Sequence, residues 1–499
     1  MEQRGGTHVW RLSYARPSRR HLTSPVALEY APTIDAREAA VGIRPGQPFL
    51  LPPTGRPDID VSLFFASDTF TRLAADSQAS YAMDIKVFLS FLSVQEVDWR
   101  DATRDDLVDF EFWRRRDERN PRRVSAAKFS RELAAISKFY SWQHYRGTVS
   151  RSPVVMVDRR RKLSGAPSMR PELLPKSVRS TRVKWLTPRA YMRWRDIGLG
   201  GYLPDGTRDE RWRGRNDGRN LALAETLWSS GLRLREGGSL VLDELPSFAS
   251  ELQYARGRVG ESVAKGGRGR DFWISGRTLK LIDNYRESTR REAVHRAQRE
   301  GRYTAITTKK VVDRVDNRRI VHFRDGAGRP GTVPLDNLDW KDRLDFFVDG
   351  EDGLEPWMLW LSEAGLPLLY RTWEAVFSTA NARCHGLGVD IRCHPHMLRH
   401  SFALRMLVAL IYAHDRRMGI TAEERREFRH LFGDPWVLVQ TMLGHANLAT
   451  TRDCYLEPVS GLQVELFLNS DPADGSLIDD LVSRVAQLSP RIQDSEGQR

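Results

Sequence analysis

His396-Met397-Leu398-Arg399-His400-Ser401-Phe402-Ala403 is the stretch that decides how this chain is read. His396 and Arg399 stand three apart, so on a helix they share a face and can converge on one group. Phe402, Leu404, Met406 and Leu407 continue as an apolar helix that would anchor both side chains on a rigid element. Downstream come Leu443-Gly444-His445 and a tyrosine in Thr450-Thr451-Arg452-Asp453-Cys454-Tyr455. Upstream lies Gly231-Leu232-Arg233-Leu234-Arg235-Glu236, and between them Lys265-Gly266 sits in a glycine-dense turn running into the apolar Phe272-Trp273-Ile274.

These residue types share one chemistry. Phosphoryl transfer spreads charge over non-bridging oxygens, and a site without a metal must meet that charge with fixed cations. A guanidinium stays charged and presents a planar fork to two oxygens, which suits Arg233 and Arg399. A tyrosyl oxygen attacking phosphorus gives an ester that keeps the bond energy for religation, which suits Tyr455. Tyr370 and Tyr412 lie in apolar stretches and read as core. Each motif alone is common in an arginine-rich chain; their specificity is joint.

Taken together, the motifs resemble the tyrosine recombinase (phage integrase) family, whose His-x-Leu-Arg-His-Ser/Thr-Phe-Ala pattern Leu398 through Ala403 reproduce. The resemblance covers roughly residues 77–458. It implies a mainly α fold with a small antiparallel β-sheet, in which a helical core-binding domain precedes an integrase-type catalytic domain. It implies that Arg233 and Arg399 clamp the phosphate and that Lys265 protonates the departing 5′ oxygen. His396 assists proton movement at the tyrosine, His445 hydrogen-bonds a phosphate oxygen, and Tyr455 is the nucleophile. Glu236 is read as structural, orienting an arginine. Double-stranded DNA attachment sites and a homotetramer on DNA follow from the resemblance, as does integration or excision of a mobile element. A type IB topoisomerase and a catalytically silent DNA-binding accessory are the rival readings. The interval from His445 to Tyr455 is one residue longer than usual in the family, and one residue turns a helical side chain by about 100°: Tyr455 keeps its reach if the added residue falls in a turn around Ala446 to Thr451, and is misplaced, with the protein impaired, if the register shifts.

Composition agrees with a nucleic-acid partner. The 499 residues carry a net charge of +13, and basic side chains release counterions from a phosphate backbone. Three cysteines point to a reducing compartment, and no zinc-ligand spacing links Cys393, His394, His396 and His400. No metal or cofactor is expected. No apolar run reaches membrane-spanning length and the first twenty residues hold no signal-type core, so a cytoplasmic, nucleoid-associated protein is expected.

Residues 1–60 read as a loose arm. A helical bundle over 65–155 carries the stripes Tyr81, Ile85, Phe88, Leu89, Leu92 and Phe129, Leu133, Ile136, Phe139, Tyr140. Between them Thr103-Arg104-Asp105-Asp106 opens a third helix with a capping box. Residues 156–184 read as a basic, unpacked linker. The catalytic domain is expected over 185–458, with insertions near 290–352 and 411–435 and a short antiparallel sheet around Leu240-Val241-Leu242 and Phe272-Trp273-Ile274. In the tail, 459–499, an apolar stripe from Leu477 to Leu488 reads as a helix that docks on a neighbouring protomer or packs in cis.

Overall fold

The computed structural model describes residues 9–15, 36–37, 40, 43–44, 46–158, 169–175, 184–214, 216–246, 254–416, 434–444 and 492–493. The chain divides into two compact units, Met1–Ser180 and Thr181–Arg499. Among the described residues no helix is long and apolar enough to cross a membrane.

The first unit is built on helices α1 (Ile59–Ala66), α2 (Ala75–Val94), α3 (Arg104–Arg115) and α4 (Ala126–Tyr145). Their apolar faces meet in an aromatic core in which Phe64, Phe88, Phe110, Phe139 and Tyr140 are buried. Phe139 stands edge-on to Phe64 with centroids 5.2 Å apart, a geometry that aligns ring quadrupoles. Thr103 and Asp106 cap α3 reciprocally, each side chain bonding the other's backbone N–H. Beneath α4, buried Glu132 receives a two-bond fork from Arg114 of α3.

Two expectations for this unit need correction. The opening residues are not a loose arm throughout. Strands β1 (Arg11–Tyr14) and β2 (Pro48–Leu51) pair antiparallel, and Trp10 and Leu50 are buried in the helical core. Trp10 also donates its indole N–H to Ser93 Oγ at 2.9 Å. Nor is the basic linker wholly unpacked: β3 (Met156–Asp158) pairs with β4 (Met169–Pro171). Leu173 and Leu174 pack on the bundle, and Glu172 accepts two bonds from Arg104. Isolated apolar residues without a period hold both segments down, which is why neither shows in the pattern.

The second unit begins with β5 (Trp185–Leu186) and helices α5 (Pro188–Gly198), α6 (Asp217–Ser230) and the short α7 (Leu234–Gly238). A hairpin follows, β6 (Tyr254–Val259) with β7 (Arg270–Ser275), then α8 (Gly276–Tyr285) and α9 (Arg291–Arg299), joined by a π-helical turn at Arg286–Arg290. The hairpin corrects another expectation. The partner of Phe272-Trp273-Ile274 is β6, whereas Leu240-Val241-Leu242 runs beside residues 357–359: Leu242 N–H donates to the Trp357 carbonyl and Leu359 N–H to that of Leu240.

The expected insertion near 290–352 supplies four strands of a five-stranded sheet in the order β10-β9-β8-β11-β12, β8 (Lys310–Val315), β9 (Ile320–Arg324), β10 (Pro330–Pro334) and β11 (Phe346–Gly350), and β12 (Gly353–Pro356) just after it supplies the fifth. Its β8–β11 pair is parallel, so this predominantly helical protein has a mixed sheet beyond the small antiparallel one. Helices α10 (Thr372–Gly386), α11 (Pro395–Arg416) and α12 (Pro435–Leu443) complete the described helices. Near the chain end β13 (Ile492–Gln493) pairs in parallel with β5. Most of the expected 411–435 insertion and the stripe from Leu477 to Leu488 lie outside the described residues.

Candidate active site

Helix α6 stops at Gly231, whose φ of +64° is left-handed and whose Cβ, if it had one, would fall 2.3 Å from the Phe402 ring of α11. Only glycine meets both demands. That turn delivers Leu232 into the core and places Arg233 at the N-cap of α7.

Glu236, one turn into α7, organises what surrounds it. Its carboxylate accepts from the Arg233 backbone N–H at 2.8 Å and from the Arg233 guanidinium at 2.9 Å. It also takes two bonds from Arg270 of β7, at 3.0 and 2.6 Å. Burial pushes the Glu236 pKa up, but the bonds and charge of Arg270, and the charges of Arg399 and Arg233, win and hold it at about 2. The carboxylate is therefore a fixed anion beneath three guanidiniums.

Arg399, on α11, is 3 % exposed. It donates to the Gly231 carbonyl at 2.5 Å and to the Leu443 carbonyl at the end of α12. Arg270 donates to the neighbouring Met442 carbonyl at 3.2 Å. The C-terminus of α12, where carbonyls lack helical partners, is thus docked on two arginines. Gly444 caps it with φ +60°, and a Cβ there would meet Arg270 Cδ at 2.8 Å.

His396 lies one turn before Arg399 with an exposed side chain, its ring 6.1 Å from that of His400. Partial desolvation, and then the positive charges of Arg399, His394, Arg233 and Lys265, hold its pKa below the ordinary histidine value, favouring a neutral imidazole able to accept a proton. His394 accepts from the Met397 N–H at 3.3 Å at the start of α11, and Cys393 is buried in the core.

Lys265 is exposed in the turn of the β6–β7 hairpin, before Gly266 and Gly267 with φ of +81° and +67°. Val263 and Ala264 are buried at the base of the turn, and the Val263 carbonyl accepts from Arg235 Nε at 3.0 Å. Tyr370 is half-buried against the core rather than within it.

The structure thus gathers Arg233, His396 and Arg399, with Lys265 close enough to act on His396 electrostatically. His445 and Tyr455 lie outside the described residues. The member that sequence reasoning missed in this role is Arg270. Its signal was available: it shares the inward register of Phe272 and Ile274 in β7, and an arginine on an inward face needs a buried anion.

Residues 70–147, spanning α2 to α4, match the family model described as phage integrase, N-terminal SAM-like domain. The tyrosine recombinase XerC of Roseiflexus sp. (strain RS-1) is 22 % identical over 381 residues, covering 76 % of this chain and 83 % of that protein. The tyrosine recombinase XerD of Listeria monocytogenes serovar 1/2a (strain ATCC BAA-679 / EGD-e) is 23 % identical over 220 residues, 44 % of this chain and 60 % of that one. Among solved structures, the XerH site-specific recombinase bound to difH substrate in a pre-cleavage complex aligns over 93 % of this chain and 90 % of its own, at 13 % identity and a TM-score of 0.41. The chain thus carries a helical domain matching the phage integrase family model over residues 70–147, and the curated proteins it resembles in sequence are tyrosine recombinases.

Proposed function

We propose that this protein is a site-specific DNA recombinase that cuts and rejoins strands through a 3′-phosphotyrosine at Tyr455, acting in integration or excision of a mobile element. The observation that carries the reading is the convergence of Arg233, at the start of α7, with His396 and Arg399 of α11, the two arginines acting on the buried Glu236 carboxylate and Lys265 near enough to His396 to act on its charge.

In this reading Arg233 and Arg399 meet the charge on the non-bridging oxygens. The Tyr455 oxygen bonds to phosphorus as the bond to the 5′ oxygen breaks, and its phenolic proton passes to neutral His396. Lys265 gives a proton to the departing oxygen, and His445 bonds a phosphate oxygen. Religation reverses each step, so no nucleotide is consumed. The helical unit adds to the grip on DNA, and four protomers pair two duplexes.

A nicked substrate tests this, using DNA beside the coding sequence that contains inverted repeats. The wild type should trap covalently on it, and Tyr455→Phe should bind equally well and trap nothing. Trapping by the variant would place the nucleophile elsewhere. Absence of trapping by the wild type would favour a silent DNA-binding accessory, which the long His445 to Tyr455 interval also suits. Relaxation of supercoils without strand exchange would favour a topoisomerase.

A further inference from the structure

The insertion that bears the five-stranded sheet meets the Lys265 hairpin at Asp336. In the turn after β10, the Asp336 carbonyl accepts from the Ser262 N–H at 2.9 Å, three residues before Lys265. The Asp336 carboxylate accepts from Arg258 Nε of β6 at 3.4 Å and from Arg319 at 2.9 and 3.1 Å. At Gly260, where β6 gives way to the turn, a Cβ would stand 3.1 Å from Asp336 Cα, so the two backbones are in direct contact.

This contact is anchored. Arg319 also reaches Glu244 at 3.5 Å. Arg343, 1 % exposed, donates to Glu244 at 2.6 and 2.9 Å and to the Ser239 carbonyl at the end of α7 at 2.7 Å. A continuous polar chain therefore runs from the helix that carries Glu236, through Arg343, Glu244, Arg319 and Asp336, to the root of the hairpin. The tip behaves differently: among the described residues nothing lies within 4 Å of a Cβ built on Gly266 or Gly267. With the tip unpacked, its root sets where Lys265 stands.

We infer that Asp336 is a positioning residue for Lys265, so that the inserted sheet aims the leaving-group acid at the scissile phosphate. The inference rests on the proposed role of Lys265. This ionic chain, buried at Arg343 and Glu244 and half-buried at Arg319 and Asp336, is a poor source of net stability, and its paired bonds hold the hairpin root in one place; displacing a reacting group by about 1 Å can cost roughly 100-fold in rate.

The test compares two nicked substrates in single-turnover cleavage by the full chain. One has the ordinary bridging 5′ oxygen; the other has sulfur there, which leaves as a thiolate and needs no proton because a thiol has a pKa of about 8.5. Asp336→Ala should slow cleavage of the oxygen substrate roughly 10–100-fold and approach wild type on the sulfur substrate, as Lys265→Ala should. Equal slowing on both substrates, with Lys265→Ala rescued by sulfur, would make Asp336 merely structural and overturn the inference. Unchanged cleavage of the oxygen substrate would overturn it too. A Lys265→Ala defect that sulfur does not rescue would remove the lysine's role, and this inference with it. Asp336→Asn keeps an acceptor for Arg319; it should show a smaller oxygen-specific defect, and it serves in the same comparison if the alanine variant does not fold.

Discussion

Glu236→Gln removes one negative charge from beneath Arg233, Arg270 and Arg399 while keeping the shape of the side chain. Glu236 is 1 % exposed at its side chain, so solvent screens little of the interaction. Holding its carboxyl at about 2 instead of the ordinary 4.5 is worth about 3 kcal/mol at neutral pH, at roughly 1.4 kcal/mol per tenfold change in proton affinity. The sign follows from the lowered pKa: the stabilisation is complete above pH 4.5 and is lost as pH falls toward 2. Urea unfolding of wild type and variant, followed through the tryptophans of the second unit, should differ by about 3 kcal/mol at pH 7 and by about 2 kcal/mol at pH 3.5. A difference below about 1 kcal/mol at pH 7, the size of an exposed ion pair, would refute the reasoning. So would a difference that does not shrink in acid.

Gly231→Ala forces a side chain into a left-handed turn and against Phe402; a loss of roughly 2 kcal/mol or more in urea unfolding is expected, and an unchanged midpoint would contradict the close approach. Arg233→Lys and Arg399→Lys keep charge but lose the planar fork, so single-turnover cleavage should fall by roughly 100-fold or more with DNA binding kept, and near-normal rates in both would remove the clamp. Because His396 titrates below the ordinary histidine range, the cleavage rate should stay level as pH falls to about 6.5 and decline only below it. A decline centred above that value would assign the proton acceptor to another group.

The parts of the site that lie on one helix were legible as spacing. His396 and Arg399 need only the helical period to share a face, and the stripes of α2 and α4 need no more. Contacts that join segments far apart in the chain were not. Glu236 was read as orienting an arginine, yet nothing local identified Arg270 as its principal partner, and Asp336 looks in sequence like any acidic turn residue. The strand misassignment has a comparable cause. Leu240-Val241-Leu242 has the apolar run expected of a sheet strand, whereas β6, Tyr-Ala-Arg-Gly-Arg-Val, pairs through the backbone and carries an Arg256–Asp271 ion pair across the hairpin. Charge pairing across a two-stranded ribbon leaves no apolar alternation to read. Trp10 and Leu50 bind the opening strands to the bundle as single anchors, and a single anchor has no period.

The carbonyl of Gly231 meets Arg399 across 168 positions of chain, and Glu244 meets Arg343 across 99. On a ribosome adding about 5–20 residues per second, the turn bearing Arg233 waits roughly 8–34 s for the guanidinium that pins it, after the inserted sheet that braces its helix has emerged. Contacts of such high order also form late in refolding, because loop closure is paid before they form. The corner that joins Gly231, Arg233 and Arg399 therefore matures only after the inserted sheet has left the ribosome.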